Sequence, residues 1–150
     1  MNEVEFNISN SELVVMRVIW SLGEARVDEI ETQVAEREVW STATIKTLLG
    51  RLVKKGILTT EKEGRKFVYK PLMEECTAIN LMAENLLDKV CETKQTNLLS
   101  DMIALSNLTA EDVAKLQEEL ANKEVVKSAN CNCIKDFKVC SCKHEHEMSA

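Results

Sequence analysis

The sequence predicts a mainly α fold with a small β wing, and three observations predict it. One proline, Pro71, and four glycines (Gly23, Gly50, Gly56, Gly64) are the only strong breakers in 150 residues, and all lie in the first 71. Leu, Ala, Glu and Lys abound, and these residues favour helices. Between residues 57 and 70 alone, the pattern turns to Thr, Val, Phe and Tyr around Glu63-Gly64.

Each element follows from local signals. Ser9-Asn10-Ser11-Glu12 reads as a capping box opening a helix through about Leu22. Leu13, Met16 and Trp20 share one of its faces, and Gly23 ends it. A second helix, 27–37, carries Val27, Ile30 and Val34 at the same spacing. Ser41 caps a third, whose stripe is Ile45, Leu48, Leu49 and Leu52 and whose C-cap glycine is Gly56. The runs Ile57–Lys62 and Arg65–Lys70 form a hairpin that Pro71 closes. Three helices and then a hairpin is the order of a winged helix-turn-helix, assigned to residues 1–71. Residues 72–128 predict helices with a different purpose. Ile79, Met82, Ala83, Leu86, Leu87 and Val90 stripe the first, and a shorter segment carries Leu98, Leu99, Met102, Ile103 and Leu105. Thr109-Ala110-Glu111-Asp112 opens the last, with Val113, Leu116 and Leu120. Short helices bury little by themselves, so a second copy is the economical cover: a dimerisation domain. Residues 129–150 form a flexible, cysteine-rich tail.

Charge is unevenly spread. The chain carries a formal −6, yet residues 41–71 hold eight basic side chains (Lys46, Arg51, Lys54, Lys55, Lys62, Arg65, Lys66, Lys70) against Glu61 and Glu63. A basic segment inside an acidic protein is the footprint of a polyanion site. On a helical wheel the third helix turns Ala43, Lys46, Thr47, Gly50 and Lys54 away from its apolar stripe, with Thr44 and Arg51 on the flank. Thr42 opens the same helix. Small, hydroxylic and cationic side chains suit a DNA major groove. Gly50 in mid-helix costs about 1 kcal/mol relative to Ala; close approach to DNA or tight packing on the wing would offset it. Arg65 and Lys66 at the wing tip reach phosphate or the minor groove. Lys54 and Lys55 read as solvated helix-end charges, Phe67 and Tyr69 as wing core, and Trp40 as a packing anchor.

Cys131-Asn132-Cys133 and Cys140-Ser141-Cys142 bring four thiols into twelve residues. Met1–Phe6 lacks the basic flank and apolar run of an export signal, so the expected compartment is the cytoplasm, where thiols stay reduced. Such a cluster there points to metal. Four sulfurs suit one Zn(II), and thiolates also prefer Cu(I), which accepts two or three sulfurs per ion. His144 and His146 read as a soluble end, and Cys76 and Cys91 as small apolar residues. No convergent acid–base or nucleophile set exists, so no enzyme is expected, and no apolar run has the ~18 residues of a membrane span.

With these residues laid out, the chain resembles the penicillinase-repressor (BlaI/MecI-like) family of winged-helix regulators over roughly residues 8–90. The resemblance rests on Ser11-Glu12-Leu13-Val14-Val15-Met16-Arg17-Val18-Ile19-Trp20, on Trp40-Ser41-Thr42-Ala43-Thr44-Ile45-Lys46-Thr47-Leu48-Leu49-Gly50-Arg51-Leu52-Val53-Lys54-Lys55-Gly56, and on Glu61-Lys62-Glu63-Gly64-Arg65-Lys66-Phe67-Val68-Tyr69. The double Cys-x-Cys tail is similar to that of the copper-responsive, CopY-type branch. The resemblance implies a homodimer that binds a palindromic promoter operator in its zinc form and releases it when Cu(I) replaces zinc, so that copper-export genes are expressed. It implies DNA contacts from Thr44, Lys46, Thr47, Arg51, Arg65 and Lys66, metal at Cys131, Cys133, Cys140 and Cys142, and a copper chaperone as a further partner. The copper branch commonly places four residues between its pairs; here there are six, Ile134 to Val139. The antibiotic-sensing branch is inactivated by cleavage at an Asn-Phe bond, and residues 72–130 contain none. Two other readings compete: a Cu(I)/Zn(II) buffering or delivery protein, against which the basic helix face argues, and a thiol redox sensor on the same DNA-binding scaffold.

Overall fold

The first helix, α1 (Asn10–Leu22), begins as its capping residues dictate. The Glu12 N–H donates to Ser9 Oγ at 3.1 Å, and the Ser9 N–H donates to a Glu12 carboxylate oxygen at 3.3 Å. Gly23 leaves the helix at φ +84°. The buried face, however, is Glu12, Val15, Met16 and Ile19. The expected Leu13–Met16–Trp20 stripe has the right period but is turned by about one residue, because a carboxylate holds a core position. Trp20 stays half-buried at the rim, where its Nε1 donates to the Met73 carbonyl at 2.9 Å.

The computed structural model describes residues 6–131. The chain divides into two compact units, residues 1–83 and 84–150. In the first unit, a two-residue strand β1 (Ala25–Arg26) follows α1 and leads into α2 (Val27–Val34). The second helix ends three residues before its expected limit, because the Arg37 and Glu38 N–H groups both turn back to the Val34 carbonyl.

Helix α3 (Thr42–Lys54) starts at Ser41, whose Oγ accepts from the Thr44 N–H at 3.2 Å. Ile45, Leu48, Leu49 and Leu52 are buried as expected. Such side chains contribute about 1.5–3 kcal/mol each when fully buried. A Schellman turn ends α3: Ile57 N–H bonds the Leu52 carbonyl, Gly56 N–H bonds that of Val53, and Gly56 adopts φ +77°.

The hairpin pairs β2 (Leu58–Glu63) with β3 (Lys66–Pro71), and β1 adds to the other edge of β3, giving the antiparallel order β1-β3-β2. Glu63 faces Lys66 across the turn Gly64-Arg65. Positive φ at Gly64 alone is the pattern of a type II′ turn, whose twist suits a two-residue hairpin. Pro71 is the last residue of β3, opposite Leu58, where its missing N–H costs least. The core gathers Val15, Met16, Ile19, Ile30, Ile45, Leu49, Leu52 and Leu58, with Trp40 and Tyr69 packed on it. This is the winged helix that the element order predicts.

Beyond the wing lie α4 (Glu75–Asp88), a 3₁₀ turn (Glu92–Lys94), α5 (Gln95–Leu105) and α6 (Ala110–Ala121). Thr109 caps α6 in a reciprocal box with Asp112, as its sequence predicts. The apolar faces stay open: Ile79, Leu86, Leu99, Met102, Ile103 and Leu120 are exposed, and Leu105 is 85% exposed. Among the described residues from 84 onward, Cys91 is the one buried side chain. No helix among the described residues is long and apolar enough to cross a membrane.

Candidate nucleic-acid interface

Burying Ile45, Leu48, Leu49 and Leu52 decides what α3 shows to solvent. Thr42, Ala43, Thr44, Lys46, Thr47, Gly50 and Arg51 are all exposed. Two hydroxyls on this face are held by the helix itself. Thr47 Oγ1 donates to the Ala43 carbonyl at 2.9 Å, and Thr44 Oγ1 lies 3.0 Å from Ser41 Oγ. Such back-bonding fixes the rotamer and leaves the threonine methyl as the outward apolar group.

Among the described residues a methyl group built at Gly50 meets nothing within 4 Å. Its backbone is outside the positive-φ region, which among the described glycines holds Gly23, Gly56 and Gly64. Packing on the wing therefore does not explain this glycine.

A cleft of about 500 Å³ opens between the start of α2, the first turns of α3 and the wing. Thr42 and Lys46 line it from α3; Arg65, Lys66 and Phe67 line it from the hairpin. Four of the expected DNA contacts, Thr42, Lys46, Arg65 and Lys66, thus converge on one concavity. Phe67 was expected in the wing core, yet it is 48% exposed here, because Val68 takes the inward position of β3.

The structure also sorts the eight basic residues of 41–71. Lys55 is no solvated helix end: its Nζ donates to the Asn7 carbonyl at 2.8 Å and pairs with Glu12, whose side chain is only 3% exposed. Lys66 donates to Asp28 at the head of α2, at 3.2 Å, and Lys70 to Glu61 at 2.9 Å. Arg26 spans Glu29 at 3.3 Å and Glu63 at 2.7 Å, joining β1, α2 and β2. The Lys66 and Arg26 contacts tie the wing to α2, and Lys70 joins its two strands. The hydrogen bond from Lys66, foremost, lowers the Asp28 carboxyl from its ordinary range. Glu63 raises the Arg26 guanidinium, and Glu61 raises the Lys70 ammonium. Among the described residues Lys46, Arg51, Lys54, Lys62 and Arg65 make no ion pair. Lys46 and Arg51 lie on the exposed face of α3, and Arg65 at the hairpin turn.

Sequence reasoning missed Arg26 and Asp28, which only the β1 and α2 geometry brings to the wing. Of the tail thiols, Cys131 is described; Cys133, Cys140 and Cys142 lie outside the described residues. Cys76, expected to be a small apolar residue, is exposed, with its sulfur 3.6 Å from a Glu74 carboxylate oxygen. Among the described residues no group of three or more metal-ligating side chains comes together.

The chain matches the family model described as penicillinase repressor over residues 8–122. It is 33% identical over 113 residues to the penicillinase repressor of Bacillus licheniformis, covering 75% of this chain and 88% of that protein. An uncharacterised 16.5 kDa protein of Latilactobacillus sakei is 35% identical over 147 residues, 97% of this chain and 99% of its own length. A solved structure described as the CopR repressor is 75% identical and covers 46% of this chain and all of its own, with a TM-score of 0.40. By its elements, its exposed helix face and the match over residues 8–122, the chain belongs to the penicillinase repressor family of DNA-binding transcriptional repressors.

Proposed function

We propose that this protein is a copper-responsive repressor that holds a palindromic operator as a homodimer in its zinc form and releases it when Cu(I) replaces zinc. The observation that carries the DNA contact is the exposed, acid-free face of α3. Among the described residues Lys46 and Arg51 make no ion pair, and nothing lies within 4 Å of a methyl built at Gly50. Thr42, Ala43, Thr44, Lys46, Thr47, Gly50 and Arg51 meet the major groove. Lys and Arg address guanine edges or phosphate there, and threonine methyls meet thymine. Arg65 and Lys66 reach the adjacent backbone from the wing. The exposed apolar faces of α4, α5 and α6 favour a second copy as their cover.

Copper sensing rests on donor chemistry. Cys131, Cys133, Cys140 and Cys142 are four soft thiols within twelve residues, a set that fits Zn(II) and prefers Cu(I). Bound metal supplies a cross-link among thiolates, and exchanging one ion for the other shifts the population able to hold DNA. Such a repressor acts in the cytoplasm beside its operator, and a copper chaperone is its natural supplier of Cu(I).

The test is fluorescence anisotropy of zinc-loaded protein on an inverted-repeat duplex selected from genomic fragments, titrated with Cu(I) under reducing conditions. Specific binding that collapses with copper is expected. Specific binding indifferent to copper would overturn the sensing mechanism, and copper uptake without specific DNA binding would favour a metal buffer.

A further inference from the structure

Phe67 is the aromatic side chain that the core leaves out. Among the described residues Phe6, Trp20, Trp40 and Tyr69 are half-buried against the core of the first unit, whereas Phe67 is 48% exposed. A lone apolar residue at a surface is ordinary, but the surroundings of this one are not. Its cross-strand partner is Lys62, so the two side chains share one face of the hairpin. Arg65 and Lys66 precede it at the turn, and Thr42 and Lys46 line the same cleft from α3. Among the described residues Lys46, Lys62 and Arg65 make no ion pair. An apolar ring thus sits in a concavity edged by cations. A nucleic-acid backbone has the complementary pattern, an apolar sugar face between two anions.

We propose that Phe67 is a DNA-contacting residue that reads the sugar: its ring packs on the C2′ side of one deoxyribose, while Lys46 and Arg65 take the phosphates on either side. This rests on α3 and the hairpin being the DNA face. With α3 in the major groove and the hairpin tip toward the minor groove, the one DNA strand that separates those grooves crosses the mouth of the cleft. A 2′-hydroxyl on that sugar would be pressed against the ring without a hydrogen-bond partner, so the contact selects deoxyribose over ribose at that step. A sugar contact carries no base information, and Phe67 therefore strengthens binding to operator and to random duplex alike.

The experiment measures fluorescence anisotropy of the full chain, wild type and Phe67→Ala, over a salt series on the selected inverted-repeat duplex and on a random duplex. Phe67→Ala is expected to weaken both by the same factor, about fivefold or more. The slope of affinity against salt should not change, because no cation is lost. Wild-type affinity in the variant, or a loss confined to the inverted repeat, would overturn the proposal. So would a shallower salt slope, which would make the ring a prop for the hairpin cations. A scan of the wild type with one ribonucleotide placed at successive positions keeps the test independent of the variant's folding. One position in each half-site should lose about threefold or more, and Phe67→Ala should be indifferent to ribose there. No sensitive position in the wild type, or the same sensitivity in Phe67→Ala, would overturn the sugar contact while leaving the DNA face in place. A wild type that prefers no duplex over random sequence would remove the proposal together with that face.

Discussion

Gly50→Ala separates what α3 needs for folding from what it needs for binding. Against the described residues the change is free of steric cost, since the added methyl meets nothing within 4 Å and the backbone is not in the positive-φ region. Replacing a mid-helix glycine by alanine then stabilises the helix by about 0.5–1 kcal/mol. For a domain of this size that raises the melting temperature by several degrees. At a close interface with DNA the same methyl is an overpacking defect, which typically costs about 1–3 kcal/mol. That is a loss of about 5- to 150-fold in affinity. Thermal denaturation reads the first effect, and anisotropy on operator and on random duplex at one salt concentration reads the second. The variant should melt higher and bind operator more weakly, with a smaller loss on random sequence. Operator affinity equal to or tighter than wild type, alongside the gain in stability, would refute the close approach at Gly50. A variant no more stable than wild type would refute the placement of Gly50 in open space.

Three further outcomes are expected. Lys55→Met leaves the buried Glu12 carboxylate without its cation and should cost about 3 kcal/mol or more in denaturant unfolding, whereas adding Glu12→Gln should recover part of it; full stability in the single variant would show the pair to be idle. Ser41→Ala removes the N-cap of α3 and should cost about 1 kcal/mol, with operator binding weakened because the first turn carries Thr42 and Thr44; unchanged unfolding would deny the cap a role. Asp28 is held below its ordinary value by Lys66, so its contribution is present above the unfolded value of 3.8 and lost as pH falls through the lower folded value. The stability difference between wild type and Asp28→Asn should therefore stay flat from pH 7 to 5 and shrink only below about pH 4; a change between pH 5 and 7 would assign it to another group.

The winged helix was legible because its signals are local. Ser9 with Glu12, Ser41, Gly56 and the Glu63-Gly64 turn each act within five residues, and each works as expected. What escaped depends on contacts between distant segments. Strand β1 has two residues and no pattern, and exists because β3 offers it an edge. Glu12 reads as a capping residue alone until Lys55 arrives from the end of α3, which is why the α1 face was misjudged by one position. Phe67 reads as core because aromatic residues usually are, but strand alternation gives the inward place to Val68. The exposed face of α3 was legible because it is what remains once the apolar stripe is assigned. The pairing of Lys66 and Lys70 was not, since composition counts cations without saying which are already satisfied.

The latch between Lys66 and Asp28 has a kinetic consequence. A phosphate that draws Lys66 must first displace a carboxylate, so binding at the wing is a substitution at the ammonium group, with Asp28 as leaving group on arrival and as incoming competitor on departure. Among the described residues Lys46 and Arg51 have no such competitor, so on the proposed function they would set how long the complex holds. Lys66, by contrast, carries its own counter-ligand in Asp28, and so would shorten the wait for release once the other contacts weaken.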